Sequence, residues 1–349
     1  MKKLRVGILF GGKSAEHEVS IMSAANVLAA LDTTKYEPVL IGIDKAGGWH
    51  IQPVLPSGHV ELQSGNEVTL RQTELYTSAG SIGNIDVVFP VLHGPMGEDG
   101  TVQGLLKLAG VPFVGSDVLG SAIGMDKDVM KRLLRDAGIP IAQFICIRRG
   151  SIHPTYNEIM SSLRVPFFVK PANMGSSVGV RKVTSSEEFE SALEEAFRFD
   201  TKILVEQAII GDEIECAVLG NDTPKASLPG QVIPTHDFYD YEAKYIDEHG
   251  AVLEVPAQMS ESDSKKVQEI AIRTFKVLEC TGMARVDMFH TPDGDLIINE
   301  VNTIPGFTKI SMYPKLWEAS GISYTELISN LIDLAQERHS ILEKLSTSY

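Results

Sequence analysis

The sequence predicts an α/β protein of two or three domains whose first domain carries a parallel sheet. Three observations predict it. The chain has 349 residues, more than a single hydrophobic core comfortably serves. From its start, short apolar runs alternate with segments of helical period, the pattern of strand and covering helix. Hydrophobic residues make up 43% and charged residues 22%, ordinary globular usage. Domains joined in this way leave a cleft between them.

Residues 4–10 form the first apolar run and read as a strand. Gly11 and Gly12 turn the chain into a helix from about Ser14, in which Ile21, Ala24, Ala25, Leu28 and Leu31 share one face. Glu16 and Glu18 fall in its first turn, where acids suit the positive end of the helix dipole. Further strands are predicted at 38–43, 85–89 and 112–115. Residues 47–83 are polar and weakly patterned, and read as surface elaboration. This Rossmann-like block lacks the G-x-G-x-x-G fingerprint, so its glycine turn argues only weakly for a dinucleotide. Its backbone donors would suit a carboxylate or a charged amino acid.

A second block opens near Ser116 with a helix containing Met125-Asp126-Lys127. Strands follow at 141–147 and 166–170, then a ribbon at 178–183. Ser185 and Glu188 make a capping box for a helix that buries Phe189, Ala192, Leu193, Ala196 and Phe197. A strand at 202–209 leads into the third block, with a helix at 267–278. A closing helix capped by Ser323 and Glu326 buries Leu327, Ile328, Leu331, Leu334 and Ala335. The predicted domains are 1–116, 117–209 and 210–349.

Composition excludes several classes of function. No apolar run approaches the roughly 20 residues of a membrane span, and the basic start Met1-Lys2-Lys3 continues into a strand, not a signal peptide. Cys146, Cys216 and Cys280 form no C-x-x-C pair and read as small core residues in a reducing cytoplasm. A net charge of -15, with no basic cluster, argues against a nucleic-acid surface.

The segment 284–302 carries the sharpest local signal. Asp293-Gly294 between two apolar runs predicts a tight hairpin. A two-residue turn there sets Asp287 opposite Glu300 and Arg285 opposite Asn302, with all four side chains on one face. Opposed acids about 5 Å apart destabilise a sheet unless compensated. Magnesium would compensate them, since it takes carboxylate oxygens and phosphates. Solvation of the acids, or neutralisation of one by Arg285, would serve as well, and the hairpin alone leaves both readings open.

Lys170-Pro171-Ala172-Asn173-Met174-Gly175-Ser176-Ser177-Val178-Gly179 joins two strands. Its small residues let backbone N–H groups converge on an anion, although it is not a P-loop. Taken singly, Lys127 and Lys170 read as surface lysines and the loop as a mobile hairpin. Together with the opposed acids they make a set suited to ATP chemistry, in which cations offset phosphate charge.

Five motifs in order then carry a family resemblance: Gly11-Gly12-Lys13-Ser14-Ala15-Glu16-His17-Glu18-Val19-Ser20, Leu92-His93-Gly94-Pro95-Met96-Gly97-Glu98-Asp99-Gly100, Gly175-Ser176-Ser177-Val178-Gly179, Phe238-Tyr239-Asp240-Tyr241-Glu242-Ala243-Lys244-Tyr245 and Asn299-Glu300-Val301-Asn302-Thr303. With them the chain resembles the D-alanine:D-alanine ligase family of the ATP-grasp superfamily over nearly its whole length. The resemblance implies a three-domain ATP-grasp architecture with a Rossmann-like N-terminal domain. It implies ATP between the central and C-terminal domains, with two D-alanine molecules beneath its phosphates. Lys127, Lys170 and Lys244 would contact phosphates, and Glu206 and Glu213 adenine and ribose. Asp287, Glu300 and Asn302 would hold two magnesium ions, with manganese as a substitute. Glu16 would take the first ammonium with His93 beside it, while Ser311, Gly306 and Arg285 would border the second substrate and the reacting carbonyl. Glu16, Ser176 and Tyr245 match a hydrogen-bonded triad linking the first domain, the central loop and a lid at 239–245.

The implied reaction makes D-alanyl-D-alanine through D-alanyl phosphate, for peptidoglycan precursor synthesis in the cytoplasm. A homodimer is the expected assembly, with no nucleic-acid or membrane partner. A ligase making D-alanyl-D-lactate is the alternative within the family, and a dinucleotide-dependent oxidoreductase the alternative outside it.

Overall fold

The structure, a computed structural model, describes residues 2–55, 58–234 and 251–346. Its first strand, β1 (Leu4–Gly11), is apolar without alternation and is buried from Val6 onward. Such a run suits a strand covered on both faces. α1 (His17–Ala30), β2 (Tyr36–Ile43) and β3 (Trp49–Gln52) follow, then a small antiparallel sheet of β4 (Thr69–Arg71), β5 (Glu74–Thr77) and β6 (Gly80–Asn84), and then β7 (Val87–Pro90). The main sheet has the order β3-β2-β1-β7, with β2 and β7 parallel to β1 and β3 antiparallel to β2.

Three expectations for this block change. The strand predicted at 112–115 supplies a single bridge, Phe113 to Val88; Pro112 has no N–H to give a ladder, and Gly115 turns away at φ 95°. Residues 47–83 are not mere surface: they form β3 to β6 and bury Val60, Val68 and Leu75. Strands of three to five residues show too little alternation to be read from sequence. α1 begins at His17, so Glu16 is its N-cap residue and not part of its first turn. The helix buries Ser20 and Ser23 as well as Ala24 and Leu28, whereas Ile21 and Ala25 are only partly covered. The serines are accommodated because Ser20 Oγ donates to the Val91 carbonyl and accepts from Gly11 N–H, while Ser23 Oγ accepts from Phe307 N–H.

Next come α2 (Thr101–Ala109), α3 (Val118–Met125) and α4 (Lys127–Asp136). The helix expected through Met125-Asp126-Lys127 is broken at Asp126, which is extended (φ -82°, ψ 96°) and caps α4 by accepting from the Asp128 and Val129 N–H groups. An antiparallel sheet of order β10-β9-β11-β8 is built from β8 (Phe144–Arg148), β9 (Phe167–Pro171), β10 (Arg181–Val183) and β11 (Lys202–Gln207). α5 (Tyr156–Leu163) and α6 (Ser186–Ala196) cover it, both starting at capping boxes. The Thr155–Glu158 pair has the same S/T-x-x-E spacing as the other boxes. The strand predicted from 141 starts at Phe144, since the Pro140 carbonyl accepts from Ile298 N–H and ties this segment to the third block.

That block contains β12 (Asp212–Gly220), β13 (Lys225–Ala226), β14 (Gly230–Pro234), β15 (Ala251–Glu254), α7 (Glu261–Val277), β16 (Gly282–His290), β17 (Leu296–Asn302), α8 (Met312–Ala319) and α9 (Tyr324–Glu343). Its antiparallel sheet has the order β15-β14-β12-β16-β17, with β13 also on β12. The first and third blocks share one core. Ile8, Phe10 and Phe89 join Phe307, Tyr313, Trp317, Leu327 and Leu331, and the Phe89 and Phe307 rings meet edge to face at 5.6 Å. Arg338 of α9 fastens this junction, donating to the Gly115 and Phe113 carbonyls and to Thr281 Oγ1.

Cys216 and Cys280 are core residues as expected, but Cys146 on β8 is partly exposed. No helix among the described residues is long and apolar enough to cross a membrane.

Candidate active site

The hairpin β16–β17 places its residues as predicted by a route that differs from the prediction. Its connection spans 291–295, closed by Thr291 N–H to Asp295 O and Gly294 N–H to Thr291 O, both at 2.9 Å, and is not a two-residue turn. The outer pairing, His290 with Leu296, is therefore one residue out of the expected register. A bulge between Asp287 and Met288 restores it, so Asp287 faces Glu300 and Arg285 faces Asn302. Bulges re-aim side chains, and here Asn299 and Glu300, adjacent in sequence, both face the same cavity.

On this face Arg285 clasps Asp287, Nε to Oδ1 and Nη2 to Oδ2 at 2.7 Å each, and its Nε lies 2.9 Å from Glu215 Oε2. Asn302 Nδ2 adds a 2.9 Å bond to Asp287 Oδ2. Burial works to lower the Arg285 pKa, but the charges of Asp287 and Glu215 outweigh it and hold the guanidinium firmly protonated. Neutralisation of one acid by Arg285 is thus the arrangement here. Among the described residues, no group of three or more Asp, Glu, His or Cys is arranged to hold a metal. Asp287, Glu300 and Asn302 still offer two carboxylates and an amide oxygen, a hard-oxygen set that fits magnesium completed by phosphate; Asp287 would have to share its oxygens with Arg285.

The lysines are not on the surface. Lys127 and Lys170 are 8% and 7% exposed. Lys127, in the first turn of α4, donates to the Met174 carbonyl at 2.7 Å and lies 3.6 Å from Glu300 Oε2. Lys170 at the end of β9 donates to Glu206 Oε1 at 2.8 Å and reaches Asn299 Oδ1 at 3.5 Å. Long side chains read singly give no sign of such burial; the sheet and helix that converge on them do. Glu206 lies inside the central block between Lys170 and Lys131, whereas Glu213 on β12 faces the cleft.

Opposite stands the first block. Gly11 and Gly12 take φ 90° and 95°, and a Cβ on Gly11 would meet the Ile43 carbonyl at 2.3 Å, so the turn demands glycine. The turn delivers Glu16, which is 6% exposed and accepts a hydrogen bond from Ser176 Oγ. Ser176 and Ser177 hold left-handed backbone, φ 51° and 58°, a strain that clusters at functional sites. Gly94 also closes on Glu16: a Cβ there would lie 2.7 Å from Glu16 Oε2. Tyr245 and Lys244, and the expected lid at 239–245, lie outside the described residues.

His93 joins three segments, with Nε2 3.0 Å from Ser23 Oγ and Nδ1 3.2 Å from the Ile304 carbonyl. A carbonyl can only accept, so Nδ1 carries the proton and Nε2 accepts from the serine. Burial lowers the His93 pKa and keeps the ring neutral. Ser311 Oγ accepts from Thr308 N–H at 2.9 Å, and a Cβ on Gly306 would sit 2.6 Å from that oxygen.

Glu16, His93, Ser176, Glu213, Arg285, Asp287, Glu300, Asn302, Gly306 and Ser311 all line one cavity of about 320 Å³. Sequence reasoning missed Glu98, which lines it too, and Lys131, which is fully buried against Glu206. Glu98 accepts from Gly94 N–H at 2.9 Å, and burial, then the nearby Glu16 charge, raise its pKa well above the carboxylate norm. The signal available for Glu98 was its place in the His93-Gly94-Pro95-Met96-Gly97-Glu98 motif; for Lys131 it was the i, i+4 spacing from Lys127.

A Rossmann-like block packed against two antiparallel sheets, with paired acids and buried lysines between those sheets, is an ATP-grasp architecture. The chain belongs to the D-alanine–D-alanine ligase family: family models described as D-ala D-ala ligase N-terminus and C-terminus match residues 5–116 and 133–333. It is 53% identical to the D-alanine--D-alanine ligase of Oceanobacillus iheyensis, over 100% of this chain and 99% of that one. It is 52% identical to D-alanine--D-alanine ligase A of Escherichia coli K12, over the full length of both. Among solved structures it resembles the D-alanine-D-alanine ligase from Coxiella burnetii, with TM-score 0.87, 40% identity, and 99% and 97% of the two chains covered. It also resembles the VanG D-Ala:D-Ser ligase from Enterococcus faecalis, with TM-score 0.85, 37% identity, and 96% and 100% covered. The oxidoreductase alternative falls with this assignment.

Proposed function

We propose that the protein is an ADP-forming ligase that joins two D-alanine molecules into D-alanyl-D-alanine at the expense of ATP, for peptidoglycan precursor synthesis. The observation that carries this reading is one cavity lined by Glu16, Arg285 and Gly306 together with the paired acids, in a chain so similar to ligases of that name over its whole length.

Glu16 would take the ammonium of the first D-alanine, with a neutral His93 beside it. The substrate carboxylate attacks the γ-phosphorus of ATP in line, the bond to the β–γ bridging oxygen breaks and ADP leaves, while Lys127, Lys170 and Lys244 offset charge on the transferred group. Two magnesium ions held by Asp287, Glu300 and Asn302 would supply further charge compensation there. The amine of a second D-alanine, bordered by Ser311, attacks the acyl carbon of D-alanyl phosphate, and phosphate leaves. Arg285 and the Gly306 N–H are the donors for the oxyanion of that step. By the family resemblance Glu206 and Glu213 are assigned to adenine and ribose, although the Glu206 carboxylate itself is turned to Lys170 and Lys131. Tyr245 would complete the triad with Glu16 and Ser176 and close the site against water.

Residues 1–116, 117–209 and 210–349 are assigned as the three functional domains, in a homodimer working in the cytoplasm. The test is an assay with ATP, magnesium and D-alanine, products identified by mass, and with D-lactate and D-serine added at equal concentration. D-alanyl-D-alanine with stoichiometric ADP is expected to predominate. A predominant depsipeptide or D-alanyl-D-serine would overturn the substrate assignment, and no D-alanine-dependent ADP release would overturn the reaction.

A further inference from the structure

Lys131 lies one turn after Lys127 on α4 and is fully buried, yet no step above uses it. Its Nζ stands 2.8 Å from Glu206 Oε2, while the other oxygen of the same carboxylate, Oε1, accepts from Lys170 Nζ at 2.8 Å. Glu206 is itself only 5% exposed. One buried carboxylate is thus held between two ammonium groups, one oxygen to each. A buried ammonium persists only where it is compensated, and here two cations divide one anion, leaving the cluster with a positive charge to spare. Lys170 is the member closer to the cleft, since it also reaches Asn299, which lines the cavity. Without Lys131, the whole charge of Glu206 would fall to Lys170 and draw its ammonium inward.

We infer that Lys131 is a positioning residue for nucleotide binding: by occupying one oxygen of Glu206 it keeps Lys170 from being neutralised and leaves that ammonium directed at the phosphates of ATP. The inference rests on the reading of Lys170 as a phosphate contact. It also explains why α4 carries lysines four apart on one face, one pointing at the glycine-serine loop and one at the interior.

Lys131→Met keeps the length of the side chain and removes the competing cation. Equilibrium ATP titration and steady-state kinetics on the full chain should show the ATP Kd and KM raised roughly tenfold or more, as when a buried charged partner is lost. The kcat should fall together with ATP affinity, because Lys170 also offsets charge on the transferred group, whereas the D-alanine KM should stay near wild type. In a Glu206→Gln background, where there is no carboxylate to share, Lys131→Met should add little. Wild-type ATP affinity in Lys131→Met, beside weakened binding in Lys170→Met, overturns the inference alone. Wild-type affinity in Lys170→Met overturns the phosphate role of Lys170 and the inference with it. A drop in kcat and a rise in both KM values together, with a lowered Tm, assigns Lys131 a merely structural role and overturns the inference as well. Should Lys131→Met fail to fold, Lys131→Gln is titrated with ATP on the same terms.

Discussion

At the scale of single residues, charge pairs decide what each side chain can do. Glu300→Gln keeps volume and fold but removes an acid from the cleft; ATP turnover should fall severely, and wild-type turnover in a folded variant would refute the acid pair as a metal site. Arg285 is held by Asp287 and Glu215, so Arg285→Met would remove the guanidinium that two largely buried carboxylates face and cost about 3–5 kcal/mol. Arg285→Lys keeps a charge but loses the two-pronged geometry, and should therefore stay folded while kcat drops about 10²- to 10³-fold, as for loss of an oxyanion donor; a Tm scan beside the kinetics checks both. Glu98 titrates the other way from most carboxylates. Its raised pKa means that its contribution to stability is present below the ordinary carboxyl range and lost as pH rises through the raised value. Glu98→Gln, always neutral, should melt higher than wild type at about pH 8 and match it near pH 4. Thiols give a simpler check. Burial pushes the Cys216 and Cys280 thiols up to about 12, so native protein should be alkylated at Cys146 alone.

Elements were legible where a cap or a long period marked them. The Ser185–Glu188 and Ser323–Glu326 boxes start α6 and α9 where predicted. The apolar run of β1 needed no other signal. The break between α3 and α4 was not legible, because Asp126 reads equally well inside a helix or as a cap, and what settles it is Lys202, 76 positions away, which donates to its carboxylate. Asp126→Ala removes both the cap and the partner of a buried ammonium, leaving it, among the described residues, only the 3.3 Å contact to Asp128. A loss of about 2–4 kcal/mol is expected in urea unfolding, whereas a loss near zero would mean that Asp128 suffices. The hairpin teaches a similar lesson. Its functional register was predicted from a turn that does not exist, and the bulge beside Asp287 that restores it has no local sequence signature. The glycine and serine motifs pointed to the right loops, and the fold makes the contact that the family resemblance implied between Glu16 and Ser176, 160 positions apart.

At the scale of the molecule, the first sheet does not complete its own core. α9 packs on α1 and β7, and Leu327, Ile328 and Leu331 close the apolar face of β1 and β7. Arg338, whose pKa burial pulls down to about 10, makes its bonds there to two carbonyls and a hydroxyl. Arg338→Met would strand these acceptors and should cost about 3 kcal/mol in urea unfolding; an unchanged midpoint would show that the apolar contacts alone hold the junction. This joint also sets an order of events at the ribosome. β7 ends at Pro90 and α9 starts at Tyr324, so at roughly 5–20 residues per second the nascent first sheet waits roughly ten to fifty seconds for the helix that covers it. During that interval Ile8, Phe10 and Phe89 are an exposed sticky face, and the newborn chain is a client for chaperones long before it is an enzyme.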